Sequence, residues 1–148
     1  MSKKMSEWAP LPLRLVLGIS FIYHGYPKLF TVQGHQQFAG MLANMHVPAA
    51  ELTAWLVAGV EVVGGGALII GAVVAVASLL LLIDMLVALF KVHLASGFSF
   101  INIKGMGPQG PIFGMPGYEV NLLIIAGLLT LMLTGAGALS VGQMRGKR

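Results

Sequence analysis

Eight ionisable side chains stand where an apolar chain tolerates them least. Arg14, His24 and Lys28 lie within LPLRLVLGISFIYHGYPKL, residues 11–29. Glu61 interrupts VAGVEVVGGGALIIG, and Asp84 interrupts SLLLLIDMLV. Lys91 and His93 follow in FKVHLASGF, and Glu119 opens the last apolar run. Buried carboxylates and imidazoles can accept and return protons, and the cations can hold a carbonyl or anionic oxygen. An unpaired ion at a bilayer centre costs from about 2.5 to more than 10 kcal/mol. Such groups must therefore find partners on neighbouring helices. Arg14 with Glu61 is the first pair expected, with Asp84 as the second partner for Arg14. A ligand or proton site is expected at His24, Lys28, Glu61, Asp84, Lys91, His93 and Glu119. The bland alternative is that the buried ions only fix helix register and that Lys28, Lys91 and Glu51 snorkel to an interface.

Helices must position these groups. Counting from Arg14, the residues Gly18, Phe21, Gly25 and Lys28 follow at steps of four, three, four and three, which puts all five on one helical face. Glycines on that face let a second backbone approach. Glu61 shares a face with Ala54, Ala58, Gly65 and Leu68, again mostly small.

The chain has 148 residues, of which 57% are hydrophobic and 9% charged, and its mean hydropathy is +0.87. Ordinary soluble domains carry about 25% charged residues, so a water-facing surface cannot be built from this composition. Four apolar runs, near 11–29, 50–71, 73–95 and 118–135, are each read as a membrane span. The expected fold is all-α: an integral membrane four-helix bundle in one domain, residues 1–148. Lys3 and Lys4 at one end and Arg145, Lys147 and Arg148 at the other place both termini in the cytoplasm. Arg14 breaks the apolar core that a cleaved leader would need, so the first run is read as an uncleaved span. Residues 30–49 and 96–117 are read as loops, with His35 and His46 as loop residues.

Several chemistries are excluded. With no cysteine, the chain has no disulfide, thiol relay or thiolate metal site. No basic run interleaves with aromatics, so nucleic acid is not a partner. The GxGxxG spacing at Gly105, Gly107 and Gly110 contains Pro108 and lacks a preceding strand, which rules out a dinucleotide fingerprint. No metal site is expected. A bis-histidine haem on His24 and His93 is disfavoured by their different depths.

Four pieces of the chain resemble the DoxX family of small membrane proteins. They are RLVLGISFIYHGYPKL, VEVVGGGALIIG, FKVHLASGF and GYEVNLLIIAGLLTLMLTGAGALS, in the order the family shows. The resemblance implies a four-helix membrane bundle and carries over Arg14, His24, Gly25, Lys28, Glu61 and Glu119 as matching positions. Relatives in that family are associated with thiosulfate:quinone oxidoreduction, quinol oxidases and redox-stress assemblies. The resemblance thus implies a quinone-linked redox subunit of a complex in the bacterial cytoplasmic (inner) membrane, crossing it several times. Its partners would be the lipid bilayer, a redox subunit and, in a homo-oligomer, further copies of itself. A non-enzymatic scaffold and a small-solute transporter or channel are the competing readings.

Overall fold

The computed structural model describes residues 3–142. A short helix α1 (Lys3–Trp8) leads into α2 (Pro10–Phe30), α3 (Val32–Asn44), α4 (Ala50–Ile70) and α5 (Val74–Ala88). The end of α5 unwinds through a π-turn (Leu89–His93) and a 3-10 turn (Leu94–Ser96). Strands β1 (Ile103–Gly107) and β2 (Gly110–Phe113) follow, then α6 (Glu119–Thr134).

α2 lies antiparallel on α4, and glycine sets the distance. A Cβ at Gly18 would stand 2.6 Å from the Gly65 carbonyl oxygen, and one at Gly65 would stand 2.7 Å from that of Gly18. Nearer the other end Gly25 rests on the Glu61 side chain. Thus the 4-3-4-3 face of α2 is the one turned inward, with Arg14, Gly18, Phe21 and Gly25 all buried. The turn from α4 to α5 takes only Gly71–Val73, with φ of 71° at Gly71 and 42° at Val73. One core joins the four long helices: Leu17 and Phe21 of α2, Leu68 of α4, Val74, Ala77 and Leu81 of α5, and Leu128 and Leu131 of α6.

The two long connections lie at the same end of the helices. Residues 30–49 are not a loop. Thr31 accepts a hydrogen bond from the Gly34 amide through its Oγ1 at 3.1 Å, capping α3, whose Ala39 and Leu42 pack with Ala54 of α4. The second connection is an antiparallel hairpin, with Ile103 opposite Phe113 and Gly107 opposite Gly110. Its base is tied down. The amides of Gly117, Tyr118 and Glu119 donate to the carbonyls of Ser99, Gly97 and Phe98 at 2.9–3.0 Å, which satisfies donors at the start of α6.

These observations correct the expected architecture. The chain is mostly helical but not all-α, because residues 103–113 pair as strands. It is also not four spans. Among the described residues two helices are long and apolar enough to cross a membrane, Ala50–Ile70 and Val74–Ser96. α6 is apolar but 16 residues long, about 24 Å against a hydrocarbon thickness of about 30 Å. α2 has the length, 21 residues, but carries Arg14, His24, Pro27 and Lys28. Two spans still make an even count, but Arg145, Lys147 and Arg148, on which the orientation argument also rests, lie outside the described residues.

Candidate functional site

The antiparallel register of α2 and α4 decides which charges meet. Gly25 faces Glu61, so Lys28, one turn further, is the cation within reach. Its Nζ sits 2.6 Å from Glu61 Oε1 and 2.8 Å from Oε2, a two-pronged ion pair in which Glu61 is almost wholly buried. The ammonium also lies 4.4 Å from the centroid of the Phe38 ring on α3, a cation–π contact. Asp84 of α5 is half-buried and feels the charges of both Glu61 and Lys28. His24, exposed on α2 beside Gly25, is near enough for its charge to bear on Glu61. One cation, two carboxylates and an imidazole thus share a patch where α2, α4 and α5 converge.

The Arg14–Glu61 pair is not made. Arg14 is fully buried at the opposite end of the helices, and all its polar contacts are backbone carbonyls. Nε donates to Leu68 at 2.8 Å, and Nη2 to Ile69 at 2.9 Å and Leu139 at 3.3 Å. Nη1 donates to Ala138 at 3.1 Å and to Ala136. The carbonyls of Leu68 and Ile69 belong to the last turn of α4, where the helix dipole presents its negative end. Arg14 therefore caps α4 and grips the segment after α6 without an acid. Gly71 has room only for hydrogen, since a Cβ there would lie 2.6 Å from Nη2.

A second polar group extends the Lys28 site, and its central residue was read as a loop residue. His35 of α3 is buried, stacks on Trp55 of α4 at 4.0 Å, and donates from Nδ1 to the Lys28 carbonyl at 3.1 Å. Its Nε2 lies 2.8 Å from Oε1 of exposed Glu51. Both ring nitrogens face acceptors, so the imidazolium form makes both bonds. The sequence carried a signal for this helix: Phe38, Met41, Leu42 and Met45 recur at three- and four-residue steps after Thr31.

The other expected residues fall elsewhere. Lys91 is exposed in the π-turn. His93 donates from Nδ1 to the Pro116 carbonyl at 2.8 Å, and Glu119 accepts from the Phe100 amide through Oε2 at 3.0 Å. The latter two hold the base of the hairpin rather than a ligand site. Among the described residues no cluster of His, Asp or Glu is arranged to hold a metal ion.

Beside the ion pair, α2 lines an open groove of about 590 Å³ with Ile19, Ile22, Tyr23, His24, Tyr26 and Pro27. The walls are apolar apart from the imidazole and two phenols. Pro27 has no N–H to give the Tyr23 carbonyl, the acceptor an uninterrupted helix would use. The groove thus sets one imidazole and two phenols among apolar side chains on an exposed face of α2.

Comparison with known proteins agrees with the helices that build this site. The chain is 29% identical over 139 residues to an uncharacterized membrane protein of Mycobacterium tuberculosis, Rv3486, covering 92% of this chain and 80% of that protein. No solved structure matches. The family model described as DoxX matches residues 9–94, from the start of α2 past the π-turn that ends α5. Arg14, Lys28, Glu61 and Asp84 all lie within that match, and this integral membrane protein belongs to the DoxX family.

Proposed function

We propose that this protein is a quinone-linked redox subunit in a complex of the bacterial cytoplasmic membrane, with residues 1–148 acting as one domain. The observation that carries the reading is the groove on α2, lined by His24, on the same helix as Lys28 of the buried Lys28–Glu61 ion pair. A bound quinone supplies two-electron, two-proton chemistry. The residues of this chain supply the rest. Tyr23, Tyr26 and His24 would orient the carbonyl oxygens, and apolar walls would exclude water. His24 would pass a proton between the groove and Glu61 or Asp84. Glu61 and Asp84, protonated from water, would each give up one proton through His24 to a quinone oxygen as the two electrons arrive, and Lys28 would stabilise the Glu61 carboxylate left behind. Electrons would come from a partner redox subunit. His35 and Glu51 would connect the Lys28 end of the cluster to water, because Glu51 is exposed.

The test is direct. Protein extracted gently and exchanged into nanodiscs should retain quinone in its lipid extract and bind a short-chain quinone analogue. His24→Phe and Glu61→Gln should each fold and lose that binding or the linked quinone reduction. Parent protein that binds no quinone, or variants that bind it like the parent, would sink the reading. Arg14 favours a second one, a non-enzymatic scaffold, because a fully buried cation is spent wholly on holding backbone segments together. Under that reading both variants would assemble with their partners as the parent does.

A further inference from the structure

At one end of the helices stand two connections of opposite character. α3 turns Gln33, Gln36, Gln37 and Asn44 outward, a surface made for water. The hairpin beside it does the reverse. Phe98, Phe100, Ile101, Met106, Ile112 and Phe113 are all more than half exposed, and Met106 reaches 76%. Lys104 is the only formally charged residue between Leu94 and Tyr118. A lone two-stranded hairpin is at best marginally stable in water. This one is fixed at its base by the Gly97–Glu119 backbone bonds and by Asn102, whose Nδ2 donates to the carbonyls of Ser96 at 3.3 Å and Met115 at 2.8 Å. It is thus held out from the helices with its apolar side chains uncovered.

We propose that the hairpin Ile103–Phe113 is a membrane-interface anchor, seated in the headgroup and upper acyl layer of a bilayer containing anionic phospholipid. Three observations select that occupant. The hairpin continues an apolar surface already facing lipid, since exposed Phe90 and Leu94 at the end of the spanning helix Val74–Ser96 lead into Phe98. Its one charge is positive and residues 95–117 contain no acid, which suits phosphate headgroups. Its outer strand edges carry unpaired amides and carbonyls, which the wet headgroup layer can satisfy and the hydrocarbon core cannot. The inference stands apart from the redox reading.

The absence of cysteine makes the experiment clean. Full-length Met106→Cys and Gln37→Cys proteins are labelled with an environment-sensitive fluorophore. They are then reconstituted into vesicles of equimolar phosphatidylcholine and phosphatidylglycerol. The label at 106 should emit blue-shifted light, lose intensity to lipids carrying a headgroup-level spin label, and resist aqueous iodide. The label at 37 should show the opposite. Iodide quenching at 106 equal to that at 37 would overturn the proposal, because the hairpin would then stand in water. A blue shift at 106 that fades on dilution in lipid, without quenching by labelled lipid, would also overturn it, because a second copy of the chain would be the cover.

Discussion

Replacing Arg14 by alanine should be among the most damaging single changes in this protein, and the damage should be independent of Glu61. Five N–H···O contacts end on carbonyls, and the bonds to Leu68 and Ala138 are fully buried. The Leu68 carbonyl keeps the Gly71 amide at 3.2 Å, so the buried acceptor left without a donor is Ala138, at a cost of about 1–3 kcal/mol. Lysine offers three donors from one point and cannot serve five acceptors spread over two segments, so Arg14→Lys should recover only part of the loss. Seven residues of α4 separate Leu68 from Glu61, about 10 Å along the axis. Losses at that separation should add within about 0.5 kcal/mol in an Arg14→Ala, Glu61→Ala cycle. The assay is reversible unfolding by dodecyl sulfate in mixed micelles, followed by tryptophan fluorescence, for the parent, both single variants and the double variant. A loss below about 1 kcal/mol for Arg14→Ala would refute the clamp, since even one orphaned buried carbonyl should exceed it. A coupling above about 1 kcal/mol would restore the ion pair that the geometry denies.

The same assay checks the remaining expectations. Lys28→Met leaves buried Glu61 without its cation and should cost about 3–5 kcal/mol, while Lys28→Met with Glu61→Met should cost clearly less than the sum of the two. Gly65→Ala drives a methyl into the Gly18 carbonyl and should lose about 1–3 kcal/mol. Gly66→Ala meets nothing within 4 Å, so it should be neutral or gain up to about 1 kcal/mol. His35→Phe keeps a ring against Trp55 but deletes both polar bonds. It should cost about 1–3 kcal/mol and show as faster amide exchange across α3.

The inward face of α2 and the small-residue face of α4 were legible because helical period and glycine size are written residue by residue. The choice between Arg14 and Lys28 as the partner of Glu61 was not. It depends on the antiparallel register, which opposes Gly25 to Glu61 and Arg14 to Leu68, and on contacts that spacing within one helix cannot encode. The partners of Arg14 were hidden for a simpler reason. A search for acids finds side chains, whereas every residue carries a carbonyl. The hairpin was obscured by its own composition, since glycine and proline are poor strand formers. Its one local cue is the Gly107–Gly110 turn with Pro108 at the second position. The number of membrane-crossing helices was overcounted because an apolar run was equated with a span, whereas α6 is short and α2 is diluted by polar groups.

The carbonyls that hold Arg14 come from both ends of the synthetic timetable. Leu68 and Ile69 emerge some fifty residues after it (separations 54 and 55), and Ala136, Ala138 and Leu139 only after separations of 122, 124 and 125 residues. A guanidinium made near the start of translation therefore waits for almost the whole chain before its shell is complete. Until then α2 carries an unsatisfied cation, and a helix in that condition stays near the aqueous boundary rather than settling among its neighbours. Arg14 thus ties an early helix to a late segment, and its shell of carbonyls is complete only once Leu139 has been made.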